Sequence, residues 1–265
     1  MPFQAAYPTP EHQTAANTIT DFFVSNFKID AVLLVNSCAR GKATRDSCLD
    51  IIMLAKPDQS RSQLSALESG WEGFEKSNQA IKALYKVGKY SVVHPDFISG
   101  VFVPRERDEG GGPDDFEVEI GNFLAYSVPL WEGSDYLAQL KQQWLPYYDE
   151  DLRQQRLEMV RWHCLNNLHH IPLYIERGLY FQSFDRLYNA YREFLQALFI
   201  ARRTYPIAYN KWIREQVEEI LGMPELYTQL SHLFEIRRFE SSEIADRAKE
   251  VEQLLEKYAS SLIAA

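Results

Sequence analysis

The sequence predicts an α+β protein, a small sheet with flanking helices in the first half followed by an all-α helical bundle. Three observations lead there. Two apolar runs, "DAVLLVNS" and "CLDIIMLA", have the length of buried strands and are too short for core helices. The segments before and after them carry helical spacing. From about residue 134 onward, nearly every segment repeats its apolar residues at helical intervals, with Pro and Gly as punctuation. The division this suggests is an α/β domain over 1–133 and a helical domain over 134–265.

Thr9-Pro10-Glu11 is a helix-start signal, and the helix it opens places Ala16, Ile19, Phe22, Phe23 and Phe27 on roughly one face. The two strand candidates follow, joined by a short basic turn. Between Arg61 and Val87 the spacing of Leu64, Leu67, Trp71, Phe74, Ile81, Leu84 and Tyr85 predicts one or two helices. "YSVVHPDFISGVFVP" offers short strands interrupted at His94-Pro95 and at Gly100, and "RERDEGGGPDD" reads as a polar, glycine-rich turn. "FEVEIGNFLAY" reads as a further strand, with Glu117 and Glu119 on one face and Phe116, Val118 and Ile120 on the other. Helices are expected at roughly 134–146, 150–170, 183–203, 208–221, 224–236 and 241–263, bounded by Pro172, Gly178, Pro206, Gly222 and Pro224.

Composition narrows the function classes. With 46% hydrophobic and 13% aromatic residues over 265 positions, the chain can bury a substantial core and is not a disordered one. No run is apolar enough to cross a bilayer, and the N-terminus lacks the basic and apolar regions of a secretory signal. Cys38, Cys48 and Cys164 form neither a paired framework nor a CxxC metal motif, so a reducing, cytoplasmic location is expected. A net charge of -9 argues against a general nucleic-acid binder, whose affinity comes from neutralising phosphates. No membrane partner is expected, and homo-oligomerisation is left open.

The chemistry concentrates in residues 33–54, "LLVNSCARGKATRDSCLDIIML". A core strand excludes ionised groups, yet Asp50 lies within one. Positions 48 and 50 share a face of a strand, where two carboxylates could share Mg²⁺; here only Asp50 is a carboxylate. Cys48 reads as a small buried hydrophobe: a thiol is a soft ligand unsuited to Mg²⁺, and no His lies nearby in the sequence to activate it. Asp50 is a cleft carboxylate, or a strand-end group that caps a turn. Arg40, Lys42 and Arg45 of the basic turn suit a phosphate, or are a solvated turn.

At these residues the sequence resembles the nucleotidyltransferase superfamily, such as the aminoglycoside nucleotidyltransferases. The family signature is Gly-Ser, a variable run often containing Ala-Arg-Gly, and then Ser-Asp-x-Asp on the next strand. Asn36-Ser37 stands where Gly-Ser is expected, Ala39-Arg40-Gly41 matches the central run, and Ser47-Cys48-Leu49-Asp50 takes the place of Ser-Asp-x-Asp. The resemblance implies that Asp50 is the second metal carboxylate and that Cys48 replaces the first. It implies a third carboxylate on a later strand, assigned to Glu119 ahead of Glu117. It also implies a nucleotidyltransferase-like mixed sheet, Mg²⁺ at an altered site, a nucleoside triphosphate held by Ser37, Arg40 and Lys42, and a small-molecule hydroxyl as acceptor.

A second stretch, "LQALFIARRTYPIAYNKWIREQV", resembles the helical C-terminal domain of poorly characterised nucleotidyltransferase-like proteins at Arg203, Tyr205, Pro206, Lys211 and Trp212. Lys211 and Trp212, a cation beside an aromatic ring, suit a nucleotide; aromatic packing is the plainer reading of Tyr205, Tyr209 and Trp212. "WHCLNNLHH" places His163, Cys164, His169 and His170 on one helix without a His-Glu-x-x-His pattern, and the spacing of Trp162, Leu165 and Leu168 reads as core instead of zinc site. The leading expectation is Mg²⁺-dependent nucleotidyl transfer. Its rivals are a degenerate relative that binds a nucleotide without turnover, and a protein-interaction module built on the acidic helical half.

Overall fold

The computed structural model describes residues 4–57, 61–104 and 108–260. The chain divides into two compact units, residues 1–103 with 120–145 and residues 104–119 with 146–265. Arg105, Glu106 and Arg107 of the glycine-rich stretch, and positions 261–263 of the last expected helix, lie outside the described residues. Among the described residues no helix is long and apolar enough to cross a membrane.

In the first unit the order is α1 (Pro10–Asn26), β1 (Ala31–Leu34), α2 (Asn36–Ala39), β2 (Leu49–Leu54), α3 (Arg61–Ser77), α4 (Gln79–Leu84), β3 (Val93–Ile98), α5 (Phe123–Tyr126), β4 (Val128–Glu132) and α6 (Tyr136–Trp144). The sheet order is β3-β2-β1-β4. β1 runs antiparallel to both β2 and β4, whereas β3 is parallel to β2. The sheet is therefore mixed, as expected. β1 and β2 are buried at every position because both sheet faces are covered, which is why they read as unbroken apolar runs. On one face Leu34, Ile51 and Met53 meet Ile19 and Phe23 of α1, Leu67 and Trp71 of α3, and Ile81 and Leu84 of α4. On the other, Leu33, Ile52 and Leu54 meet Phe123 and Leu124 of α5 and Tyr136, Leu137 and Leu140 of α6.

Two strand expectations change. β3 runs straight through Pro95, which pairs with Ile51. The reason is position: β3 is an edge strand, and an edge can carry a residue that lacks an N–H. "FEVEIGNFLAY" is not a strand but a helical segment, with a widened π-type turn at Val118–Asn122 leading into α5. Its apolar residues Phe116, Ile120, Phe123 and Leu124 fit a helical repeat as well as an alternating one, so sequence spacing alone leaves the choice open.

In the second unit α7 (Glu150–Glu176) and α8 (Tyr180–Ala201) form an antiparallel hairpin, followed by α9 (Pro224–His232) and α10 (Glu243–Tyr258). Gly178 makes the hairpin turn at φ +71°, where a Cβ would be strained. The core joins Leu157, Val160 and Cys164 of α7 to Leu187, Phe194 and Leu198 of α8, and to Val251 and Leu255 of α10. α7 runs on past Pro172, expected as its break, for a further turn to Glu176, its fully buried Ile171 held in the core. Trp162, expected in the core, is 53% exposed. The helix expected from 208 is a loop as far as 212, then a short helical stretch with a π-type turn at Glu215–Ile220.

Candidate functional site

The site begins where β1 ends. Asn36 adopts φ +55°, the left-handed region that Gly tolerates best and Asn next. The departure from Gly-Ser is thus a conformationally conservative one: this turn demands a residue that accepts positive φ. From Asn36 the chain enters α2, in which Ser37 is buried, and Arg40 just after it is buried as well. Gly41, at φ +71°, turns the chain again, and the Lys42 N–H donates to the Ser37 carbonyl at 2.9 Å. Lys42 is exposed.

Residues 42–48 form a tied turn. Ser47 Oγ accepts from the Thr44 N–H at 2.9 Å, and the Arg45 Nε–H donates to the Val87 carbonyl at 3.2 Å. The fully buried His12 of α1 clamps the turn's end. Its Nε2 donates to the Ser47 carbonyl, which can only accept, at 2.9 Å, and its Nδ1 lies 2.9 Å from the Thr9 hydroxyl. Cys48 and Asp50 follow on one face, and the Val35 N–H donates to the Asp50 carbonyl at 3.1 Å, which joins the entry of the α2 turn to the start of β2.

Asp50 is 7% exposed, and the half-buried Cys48 thiol donates to its carboxylate at 3.2 and 3.4 Å. Cys48 is therefore not the apolar filler that the sequence suggested. The partner missing from the sequence reading lies on β3. His94 is the register partner of Asp50, and Asp96 that of Ile52, so both reach the face that carries Cys48 and Asp50. Sulfur, carboxylate and imidazole ligand atoms of Cys48, Asp50 and His94 all lie within 4.8 Å of one another. The expectation that no histidine accompanies Cys48 holds along the chain and fails in space.

Electrostatics mark the same face. Asp96 is pushed above the usual carboxylate range, first by lost hydration and then by the Asp50 charge, with His94 opposing. Burial, then Asp50, then Cys48 push the Cys38 thiol up to about 12, so it stays protonated; it donates to the Cys48 carbonyl at 3.7 Å. His94 and Asp96 alternate around Pro95, and that alternation was the sequence signal available for them.

The remaining sequence candidates belong to the second unit. Glu119 sits on the π-type turn and not on a strand, its N–H donating to the Asp115 carbonyl at 2.7 Å. Glu117 is wholly buried in the second unit. Its carboxylate accepts from Arg156 at 2.7 and 3.0 Å, Gln196 at 2.7 Å, Tyr148 at 2.9 Å and Tyr209 at 3.4 Å, a buried ion-pair hub. Burial and then the Glu117 charge raise the Tyr148 phenol far above its ordinary range. In the loop that follows α8, Tyr205 and Tyr209 are buried, while Lys211 and Trp212 are exposed, Trp212 at φ +60°. Gln216 holds this loop, accepting from the Ile207 N–H at 2.7 Å and donating to the Ala208 and Lys211 carbonyls at 2.8 and 2.9 Å. Cys164 is buried with its thiol on the Ala190 carbonyl at 3.3 Å, and His170 is turned to the Asn166 carbonyl at 2.7 Å.

No protein-family model matches the chain, and no curated protein matches it. Among solved structures, the chain is similar to a nucleotidyltransferase-like protein from Exiguobacterium sibiricum 255-15, with 14% identity over 93% of this chain and 74% of that one, at a TM-score of 0.43.

Proposed function

We propose that the first unit binds a nucleoside triphosphate beside β1, α2 and β2, and transfers its nucleotidyl group to a hydroxyl of a small molecule. The observation that carries the reading is the left-handed Asn36 turn, which brings Ser37 and Arg40 to the strand entry where Asp50 is exempt from the apolar pattern of its neighbours. In this reading Ser37, Arg40 and Lys42 hold the phosphate chain. The acceptor oxygen forms a bond to the α-phosphorus, the bond to the bridging oxygen of the β-phosphate breaks, and pyrophosphate leaves. The hydroxyl proton passes to a carboxylate of this face. Rate enhancement comes from positioning and charge stabilisation of the in-line displacement.

Asp50 keeps the role the resemblance implies. Asp96, strand-borne and on the same face, replaces Glu119 as the further carboxylate of the proposal. Lys211 and Trp212, exposed on a loop of the second unit, stand as nucleotide candidates on the resemblance alone. The second reading, binding without turnover, is favoured by one observation: the Cys48 thiol occupies a carboxylate's position and donates to Asp50.

Titration calorimetry with ATP and GTP, paired with pyrophosphate release, tests both. Arg40→Ala should weaken binding by about tenfold or more, as loss of a charged hydrogen bond to phosphate does, and Arg237→Ala should leave it unchanged. Equal losses in the two variants refute the site. Binding without pyrophosphate release over a panel of hydroxyl acceptors selects the second reading.

A further inference from the structure

The Mg²⁺ that the resemblance implies and the donors grouped around Asp50 disagree in chemistry. Mg²⁺ takes oxygen ligands in near-octahedral geometry. The trio offers one carboxylate oxygen, one sulfur and one imidazole nitrogen. That combination belongs to zinc and its neighbours, for which thiolate and imidazole are preferred donors.

We infer that Cys48, Asp50 and His94 form a three-ligand site for a zinc-class transition metal, with a coordination position left for water or a ligand. The distances fit. With Zn–S near 2.3 Å and Zn–O near 2.1 Å, two ligand atoms of a tetrahedral shell stand about 3.6 Å apart. Cys48 Sγ stands 3.2 and 3.4 Å from the two Asp50 oxygens, and the whole trio fits within 4.8 Å. The sheet supplies the convergence. Cys48 and Asp50 are two residues apart on one face, and parallel pairing sets His94 directly beside Asp50. The site is accessible, since His94 is exposed and Cys48 half-buried. Three protein ligands with an open position is the arrangement of catalytic zinc sites, whereas structural ones are closed by four. Metal binding would release the Cys48 proton to solvent, so the thiol that now donates to Asp50 would become a thiolate ligand beside it. The inference rests on these three side chains and not on the transferase reading.

The test uses the full chain, stripped with a chelator and titrated with Zn²⁺ against a chromophoric competitor, and with Co²⁺ followed by absorption. Stoichiometric Zn²⁺ binding is expected, with a near-ultraviolet sulfur-to-cobalt charge-transfer band. Cys48→Ser should abolish that band, and both Cys48→Ser and His94→Gln should weaken Zn²⁺ binding by about tenfold or more. A large excess of Mg²⁺ should not displace the metal. The inference is overturned if the Co²⁺ complex lacks the band, if both folded variants bind Zn²⁺ like the parent, or if Mg²⁺ competes. Nucleotide titration of the same variants separates the two proposals: Zn²⁺ binding without ATP binding overturns the transferase reading alone, and ATP binding without Zn²⁺ binding overturns the metal site alone.

Discussion

Arg156→Ala should strongly destabilise the helical unit, because Arg156 is buried among carboxylates. Arg156 donates through Nε and Nη2 to Glu117 at 2.7 and 3.0 Å and through Nη1 to Asp114 at 2.9 Å, and it lies over the Phe116 ring at 4.3 Å. Burial alone would lower the guanidinium's pKa; Glu117 and Asp114 more than offset it. Truncation leaves the Glu117 carboxylate, 0% exposed, with neutral donors from Tyr148, Gln196 and Tyr209 but no counter-charge. Orphaning one member of a buried pair costs about 3–5 kcal/mol, whereas the pair itself contributes far less. Asp114, with 23% of its side chain exposed, is the better solvated of the two carboxylates, so Asp114→Ala should cost less than Arg156→Ala. Urea melts followed by circular dichroism measure both. Adding Glu117→Gln to Arg156→Ala should recover part of the loss, because the uncompensated charge is gone. A loss below about 1 kcal/mol for Arg156→Ala, or a double variant no more stable than the single, would refute the reasoning.

Three further outcomes are expected. Asn36→Gly should be nearly neutral and Asn36→Val should cost about 1–2 kcal/mol in a urea melt, since a β-branched residue resists the left-handed region; equal losses would contradict the turn's geometry. Hydrogen bonds from Arg153 and then Arg203 hold the Glu150 carboxyl down from 4.5 to about 2. The folded pKa is the depressed one, so the stabilisation is present above about 4.5 and disappears as pH falls toward about 2. Glu150→Gln should flatten the acid limb of stability in that window, and an NMR carboxyl midpoint near 4.5 in the parent would negate it. Finally, Cys48→Asp should turn the trio toward oxygen donors and make nucleotide binding respond to Mg²⁺, measured by calorimetry with and without the ion. No response at any Mg²⁺ concentration would count against a carboxylate-pair ancestry of this face.

Much of this was legible along the chain. The β1 and β2 runs, the α1 start at Thr9-Pro10-Glu11 and the helical second half follow from apolar spacing and breakers, which are local properties. Asp50 stood out because one ionised group in an apolar run is conspicuous without knowledge of the fold. The Asn36-Ser37 turn was also visible, although only its φ explained why Asn can stand where Gly is expected.

What the tertiary structure decided is which distant segments share a face. Residues 116–126 carried two compatible periods, and packing, not spacing, selected the helix; Glu119 left the strand with it. Glu117 looked like a metal candidate because a carboxylate's partners are invisible in sequence, and its partner Arg156 lies 39 residues away. His94 looked like a strand breaker beside Pro95 because proline interrupts an interior strand, and only the sheet order puts β3 at an edge that tolerates it. Parallel pairing of β3 with β2 then set that histidine against Asp50, some forty residues distant in the chain. Spacing along a strand determines which side chains of that strand agree in direction. Only sheet order and register determine what stands opposite them, and the chemistry of this face depends on both.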